Sequence, residues 1–134
     1  MILGIDYGIK NVGLAISDES EKFAVALTTL GQNNLVQNIS KILIDKFIYK
    51  VVVGNPVRMN GEEGYVTKLM NTFVDELKNN VSGLQVILID ESMTTRIAID
   101  YLRNMGYTSK DIEKRKDQES ARIILQSYLD NNVV

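Results

Sequence analysis

Apolar residues open this chain in short runs broken by polar turns, and the pattern then lengthens to a helical period. Ile2 to Asp6, Val12 to Asp18 and Phe23 to Leu30 read as three strands, divided by the turn from Tyr7 to Asn11 and the polar stretch Glu19 to Lys22. Connections this short predict an antiparallel meander. From Leu35 the spacing changes. Leu35, Ile39, Ile42, Leu43 and Phe47 form one stripe of an amphipathic helix behind Asn33-Asn34. Lys50 to Gly54 is a fourth strand, and a loop with Pro56 and Asn60-Gly61 leads to a second helix with the stripe Val66, Leu69, Met70, Phe73, Val74 and Leu77. Asn79 to Gly83 closes that helix. Gln85 to Ile89 is a fifth strand ending in Asp90-Glu91, followed by a third helix over Met93 to Met105. A charged segment, Lys110 to Asp117, precedes a final helix with Ala121, Ile124, Leu125, Tyr128 and Leu129 on one face.

Three strands followed by alternating helices and strands predict an α/β fold, a mixed five-stranded sheet flanked by helices. The first three strands are antiparallel and the last two join in parallel by crossover. The 134 residues suit a single domain, 1–134, and leave no material for the two lobes that an actin-like ATPase closes around a nucleotide. Composition narrows the chemistry. There is no cysteine and no histidine, which excludes disulfides, thiolate metal sites, cysteine nucleophiles and imidazole bases. The apolar runs are too short for a membrane span or a signal-peptide core, so a cytoplasmic protein is expected. With a formal net charge of −2, a nucleic-acid partner must be met by a local basic patch.

The acids supply what composition leaves. Asp6 breaks an apolar strand just before a turn, and a carboxylate taken from water normally pairs, neutralises or binds a cation. Asp90-Glu91 end a second strand. Asp117 lies four residues before Ala121 and seven before Ile124, in line with the apolar stripe of the last helix. Glu119, turned about 200° from Asp117 around the helix, is expected to be a solvated charge. Each acid also has a local reading, a turn bond for Asp6 and helix capping for the others. Together at the carboxyl edge of one sheet they repel unless cations neutralise them, and all-oxygen ligands select Mg²⁺ or Mn²⁺. Phosphodiester hydrolysis at a two-metal site fits such a set.

The stretch Gly4-Ile5-Asp6-Tyr7-Gly8-Ile9-Lys10-Asn11-Val12-Gly13-Leu14-Ala15-Ile16-Ser17-Asp18, the loop Val53 to Gly61, Asp90-Glu91-Ser92-Met93-Thr94-Thr95, and Lys116-Asp117 with Ile123 to Gln126 are four motifs in order. They resemble the YqgF/RuvX family of the ribonuclease H-like superfamily, described as pre-16S ribosomal RNA nucleases or Holliday-junction resolvase-like proteins. The resemblance implies a metal-dependent nuclease in which Asp6, Glu91 and Asp117 bind metal and serve catalysis, with Asp90 a further candidate ligand. Lys10 and Ser92 stand where that family usually has arginine. Arg96, Lys114, Arg115 and Lys116, within a basic patch that also holds Arg103, Lys110 and Arg122, are candidate phosphate contacts, as are Lys10 and, in the loop after the fourth strand, Arg58. RNA is the favoured partner by resemblance. A DNA junction resolvase, acting as a homodimer rather than a monomer, and a non-catalytic nucleic-acid-binding module of the same fold are the alternatives.

Overall fold

The computed structural model describes residues 1–56, 63–91 and 94–131. Strand β1 (Leu3–Asp6) pairs antiparallel with β2 (Asn11–Ser17), which pairs antiparallel with β3 (Ala24–Gly31). Helix α1 (Leu35–Asp45) leads to β4 (Lys50–Pro56), and α2 (Glu63–Asn80) leads to β5 (Gln85–Glu91). The sheet order is β3-β2-β1-β4-β5, with β1, β4 and β5 parallel. Helices α3 (Thr94–Asn104) and α4 (Ser109–Asn131) complete the chain. This is the mixed α/β sheet that the hydrophobic pattern predicts.

Alternation along the strands divides the core into two layers. Leu3, Ile5, Leu14, Val51 and Val53 pack under Leu35, Ile39 and Leu43 of α1 and Met70, Phe73 and Leu77 of α2. On the opposite face Ile2, Ala15, Ala24 and Val52 meet Ala121, Ile124, Leu125 and Leu129 of α4. Small residues dominate that second face for a steric reason. A Cβ on Gly4 would stand 2.7 Å from Leu125 Cβ and 3.0 Å from the Ala121 carbonyl oxygen, and one on Gly13 would fall on the Asp117 carbonyl. Glycine at these two positions lets α4 lie directly on β1 and β2.

Three local expectations are corrected. Phe47 is not part of the α1 stripe; it is exposed, adopts φ 56° beyond the helix, and turns the chain so that Ile48 enters the core instead. Strands β4 and β5 run on through Pro56 and Glu91, because the parallel register continues with Asn55 opposite Asp90 and Pro56 opposite Glu91. The charged segment Lys110 to Asp117 is not a lead-in but the first half of α4, whose start is fixed by Thr108 Oγ1 accepting the Asp111 N–H at 3.2 Å. The signal was present as Thr108-x-x-Asp111, a capping pattern ahead of the buried Ile112.

Candidate active site

Asp6 is the last residue of β1, flanked in register by Gly13 on β2 and Gly54 on β4. Gly4 faces α4, so alternation carries half-buried Asp6 onto the α4 face as well. The Asp117 backbone rests on Gly13, the cross-strand neighbour of Asp6. The backbones of two acids 111 positions apart in sequence thereby adjoin one glycine: sheet pairing brings the first and close helix packing the second. Asn55, Asp90 and the backbone of Glu91 lie at the same edge. Ile87 and Ile89 pack with the α4 cluster, so strand parity assigns position 90 to the opposite face. The Glu91 side chain lies outside the described residues, as do Arg58, Ser92 and Met93.

Asp90 is exposed, and its carboxylate accepts a hydrogen bond from Asn55 Nδ2 at 3.3 Å. Asn55 Oδ1 is buried without a donor among the described residues. Asp117 is half-buried, and its carboxyl is pushed above the usual carboxylate range, first by burial; Lys116 opposes this and Glu113 adds to it. No group of three or more acid, histidine or cysteine side chains forms a metal-ligand cluster among the described residues.

Polar contacts outside the acids fix where α4 sits. The Gln126 side chain spans from helix to turn: its Oε1 accepts the Ala24 N–H at 2.9 Å, and its Nε2 donates to the Lys22 carbonyl at 2.9 Å. Thr29 Oγ1 donates to Gln118 Oε1 at 3.3 Å. The turn that Gln126 grips is itself held by Asp18, which accepts the Lys22 and Phe23 N–H groups and the Ser20 hydroxyl. Those bonds, led by Ser20, hold the Asp18 carboxyl below its ordinary range. Gln126 stands in the last-helix motif, but neither its place there nor the helical pattern at Gln118 indicates this role, since a polar residue on a helix is ordinarily solvated.

A family model described as RuvX, Holliday junction resolvase, matches residues 1–131. The chain belongs to the RuvX family. Curated relatives provisionally named pre-16S rRNA nucleases include one from Flavobacterium psychrophilum, 33% identical and covering 98% of each chain. Another, from Chlorobaculum tepidum, is 37% identical over 98% of this chain and 94% of its own. Among solved structures, T. thermophilus RuvC in complex with a Holliday junction superposes with a TM-score of 0.63 at 16% identity, covering 96% of this chain and 92% of the other. Fowlpox virus resolvase with junction DNA superposes with a TM-score of 0.58 at 15% identity, covering 99% of each. These superpositions establish the ribonuclease H-like fold.

In this RuvX chain the basic side chains divide by partner. Arg103 pairs with Asp100 at 3.6 Å, and Lys116 pairs with Glu113 at 3.1 Å. Arg122 Nε donates to Glu119 Oε1 and its guanidinium lies 4.9 Å over the Tyr101 ring. Arg115 stacks on Tyr107 at 4.9 Å. Lys10, Arg96, Lys110 and Lys114 are exposed, with no ion pair among the described residues. Glu119 corrects the expectation of a solvated charge: it is buried, because α3 covers the side of α4 that faces away from the sheet. Helical spacing gave its angle from Asp117 correctly but could not show that a second partner waits there.

Proposed function

We propose that this protein is a divalent-metal-dependent endonuclease that acts in the cytoplasm on precursor 16S ribosomal RNA. Its nuclease character follows from its family, and the RNA substrate from the names of its near relatives. The observation that carries the reading is the approach of the Asp6 and Asp117 backbones to the same residue, Gly13, at the carboxyl edge of β1. The backbone of Glu91 ends β5 at the same edge.

The donor chemistry suits a hard cation. Only oxygen ligands are offered, and an acid whose burial disfavours its charge, as at Asp117, gains most from a cation beside it. Asp6, Glu91 and Asp117 would hold Mg²⁺ or Mn²⁺, which when bound lowers the pKa of a water and neutralises charge on the phosphate. The protein's own groups do the positioning. Asn55 orients Asp90, leaving Asp90 as a positioning acid rather than a ligand. Asp117 lies level with the sheet edge and Leu125 with Gly4, so the eight residues of α4 before Asp117 project about 12 Å beyond that edge. This overhang carries Lys114 and Arg115, while Arg96 stands in the first turn of α3 just past β5. Lys10 lies in the turn after Asp6. A nucleic-acid strand crossing the acids would meet these cations through its phosphates.

The test is incubation with Mn²⁺ or Mg²⁺ and a panel of precursor rRNA, single strands and four-way DNA junctions. Precursor cleavage that Asp6→Asn, Glu91→Gln and Asp117→Asn each abolish, with melting behaviour showing a folded protein, is the expected result. Junction cutting in preference to RNA, by a dimer in light scattering, would establish the resolvase reading that the family description favours. Binding that survives metal removal, without turnover on any substrate, would leave only a binding module.

A further inference from the structure

We propose that the cleft beside Asp6, walled by Tyr7, α1 and α2, binds a nucleobase carrying an exocyclic amino group, from the single-stranded segment adjoining the phosphate cut. The inference rests on the nuclease reading for where that strand runs. The cleft measures about 390 Å³, within the range of small-ligand sites. Tyr7 follows Asp6 directly at the carboxyl end of β1; its ring packs on the α1 and α2 face whereas Asp6 is on the α4 face, so a strand passing over that edge of the sheet would meet both.

The lining decides the ligand class. Tyr7 stacks on Phe73 with ring centroids 5.0 Å apart and 23° between planes. Phe73 is buried whereas Tyr7 is half-exposed, so the stack is open for extension on the tyrosine side. Single-stranded bases bind by continuing such stacks. The polar wall is Gln32, Asn34, Gln37, Thr72 and Glu76, and no lysine or arginine lines the cleft among the described residues. A phosphate would lack a cation there and would meet the Glu76 carboxylate. A neutral base edge would not: the amides both donate and accept, the Thr72 hydroxyl, whose hydrogen goes to the Lys68 carbonyl at 3.1 Å, accepts, and an ionised carboxylate only accepts. Glu76 therefore favours cytosine, adenine or guanine, which offer an amino group, over uracil or thymine.

The wall is also fixed before any base arrives. Gln32 Nε2 donates to the Gly8 carbonyl at 2.8 Å, tying the turn after Asp6 to the start of α1. Asn34 occupies the N-cap of α1 with φ 55°, yet its side chain makes no capping bond and stays available to the cleft.

The experiment scans 2-aminopurine along a short single-stranded RNA, and along a DNA of the same sequence, with wild type and variants in EDTA. Quenching at one strand position on binding is expected for wild type and Tyr7→Phe. Tyr7→Leu should lose the quench and bind that position about tenfold more weakly. Replacing the base there by cytosine or uracil should show a preference for cytosine that falls about tenfold in Glu76→Gln. Either strand giving this response supports the cleft, and the stronger one identifies the source of the base. A quench that survives Tyr7→Leu, a wild type with no position-specific quench, or a base preference unmoved by Glu76→Gln overturns the proposal. Glu76 is exposed, so its variant keeps the test decisive even where Tyr7→Leu fails to fold. Cleavage of the same strands in Mn²⁺ is measured separately. Quenching without cleavage upholds the cleft and sinks the nuclease reading, and cleavage without quenching does the reverse.

Discussion

Asp117 is held in an environment that disfavours its own charge, and that has a measurable signature. Burial, above all, pushes its carboxyl above its ordinary value, so the folded state binds its proton more tightly than the unfolded state. Stability attributed to this group therefore falls as pH rises through that interval, and the penalty is fully present at neutral pH. Asp117→Asn is expected to melt higher than wild type at pH 7 in EDTA, with the gap closing as pH drops toward 3.8. Mn²⁺ should reverse the order by stabilising wild type alone. A variant melting below wild type in EDTA would remove the idea of a strained acid awaiting a cation. Glu119 makes the opposite prediction from the same helix. Its carboxylate is spent on Arg122, so Glu119→Ala leaves a guanidinium uncompensated against Tyr101 and is expected to cost roughly 3 kcal/mol in urea unfolding. Replacing both partners by apolar residues should recover most of that loss. The two acids show what a helical pattern can convey. It sorts residues by angle, and so identified Asp117 with the sheet-facing stripe. It does not state how many partners a helix has, so the burial of Glu119 beneath α3 has no counterpart in the pattern.

At the scale of elements, the site depends on how closely α4 approaches the sheet. Gly13 is the point of contact, and a methyl there would occupy the position of the Asp117 carbonyl. Gly13→Ala should displace the helix, cost about 3 kcal/mol as an overpacked contact, and abolish cleavage although every acid remains. Gln126→Ala removes two bonds between α4 and the β2–β3 turn and is expected to cost about 1 kcal/mol while lowering activity through the same displacement. Full activity in Gly13→Ala would show that the register of α4 is immaterial. The strands and the apolar stripes that bury them were legible because burial imposes period 2 or 3.6. Glycine is not marked by either period, so Gly4 and Gly13 read as turn or strand filler until the helix lying on them is seen. The missed start of α4 has a related cause: its first half projects past the sheet, where little burial exists to impress a pattern.

For the molecule as a whole, a net charge of −2 would repel a polyanion unless its cations were gathered and left unpaired. The overhanging half of α4 achieves this only in part. Among the described residues Lys114 is exposed without an ion pair and Arg115 stacks on the Tyr107 ring without one, whereas Lys116 and Arg103 are each engaged by an acid one turn away. An ion-paired cation releases fewer condensed counterions when it meets a phosphate, since its own partner must be displaced. The dependence of nucleic-acid affinity on salt should therefore separate the two classes. For single-stranded RNA in the absence of divalent ions, Lys114→Gln with Arg115→Gln is expected to make the slope of log K against log salt about 1.4 shallower. Lys116→Gln with Arg103→Gln should move it much less. Equal changes from the two pairs would mean that the strand does not follow the exposed ridge of α4. A large change from the second pair alone would place the strand along the Glu113 and Asp100 side, opening those ion pairs as it binds.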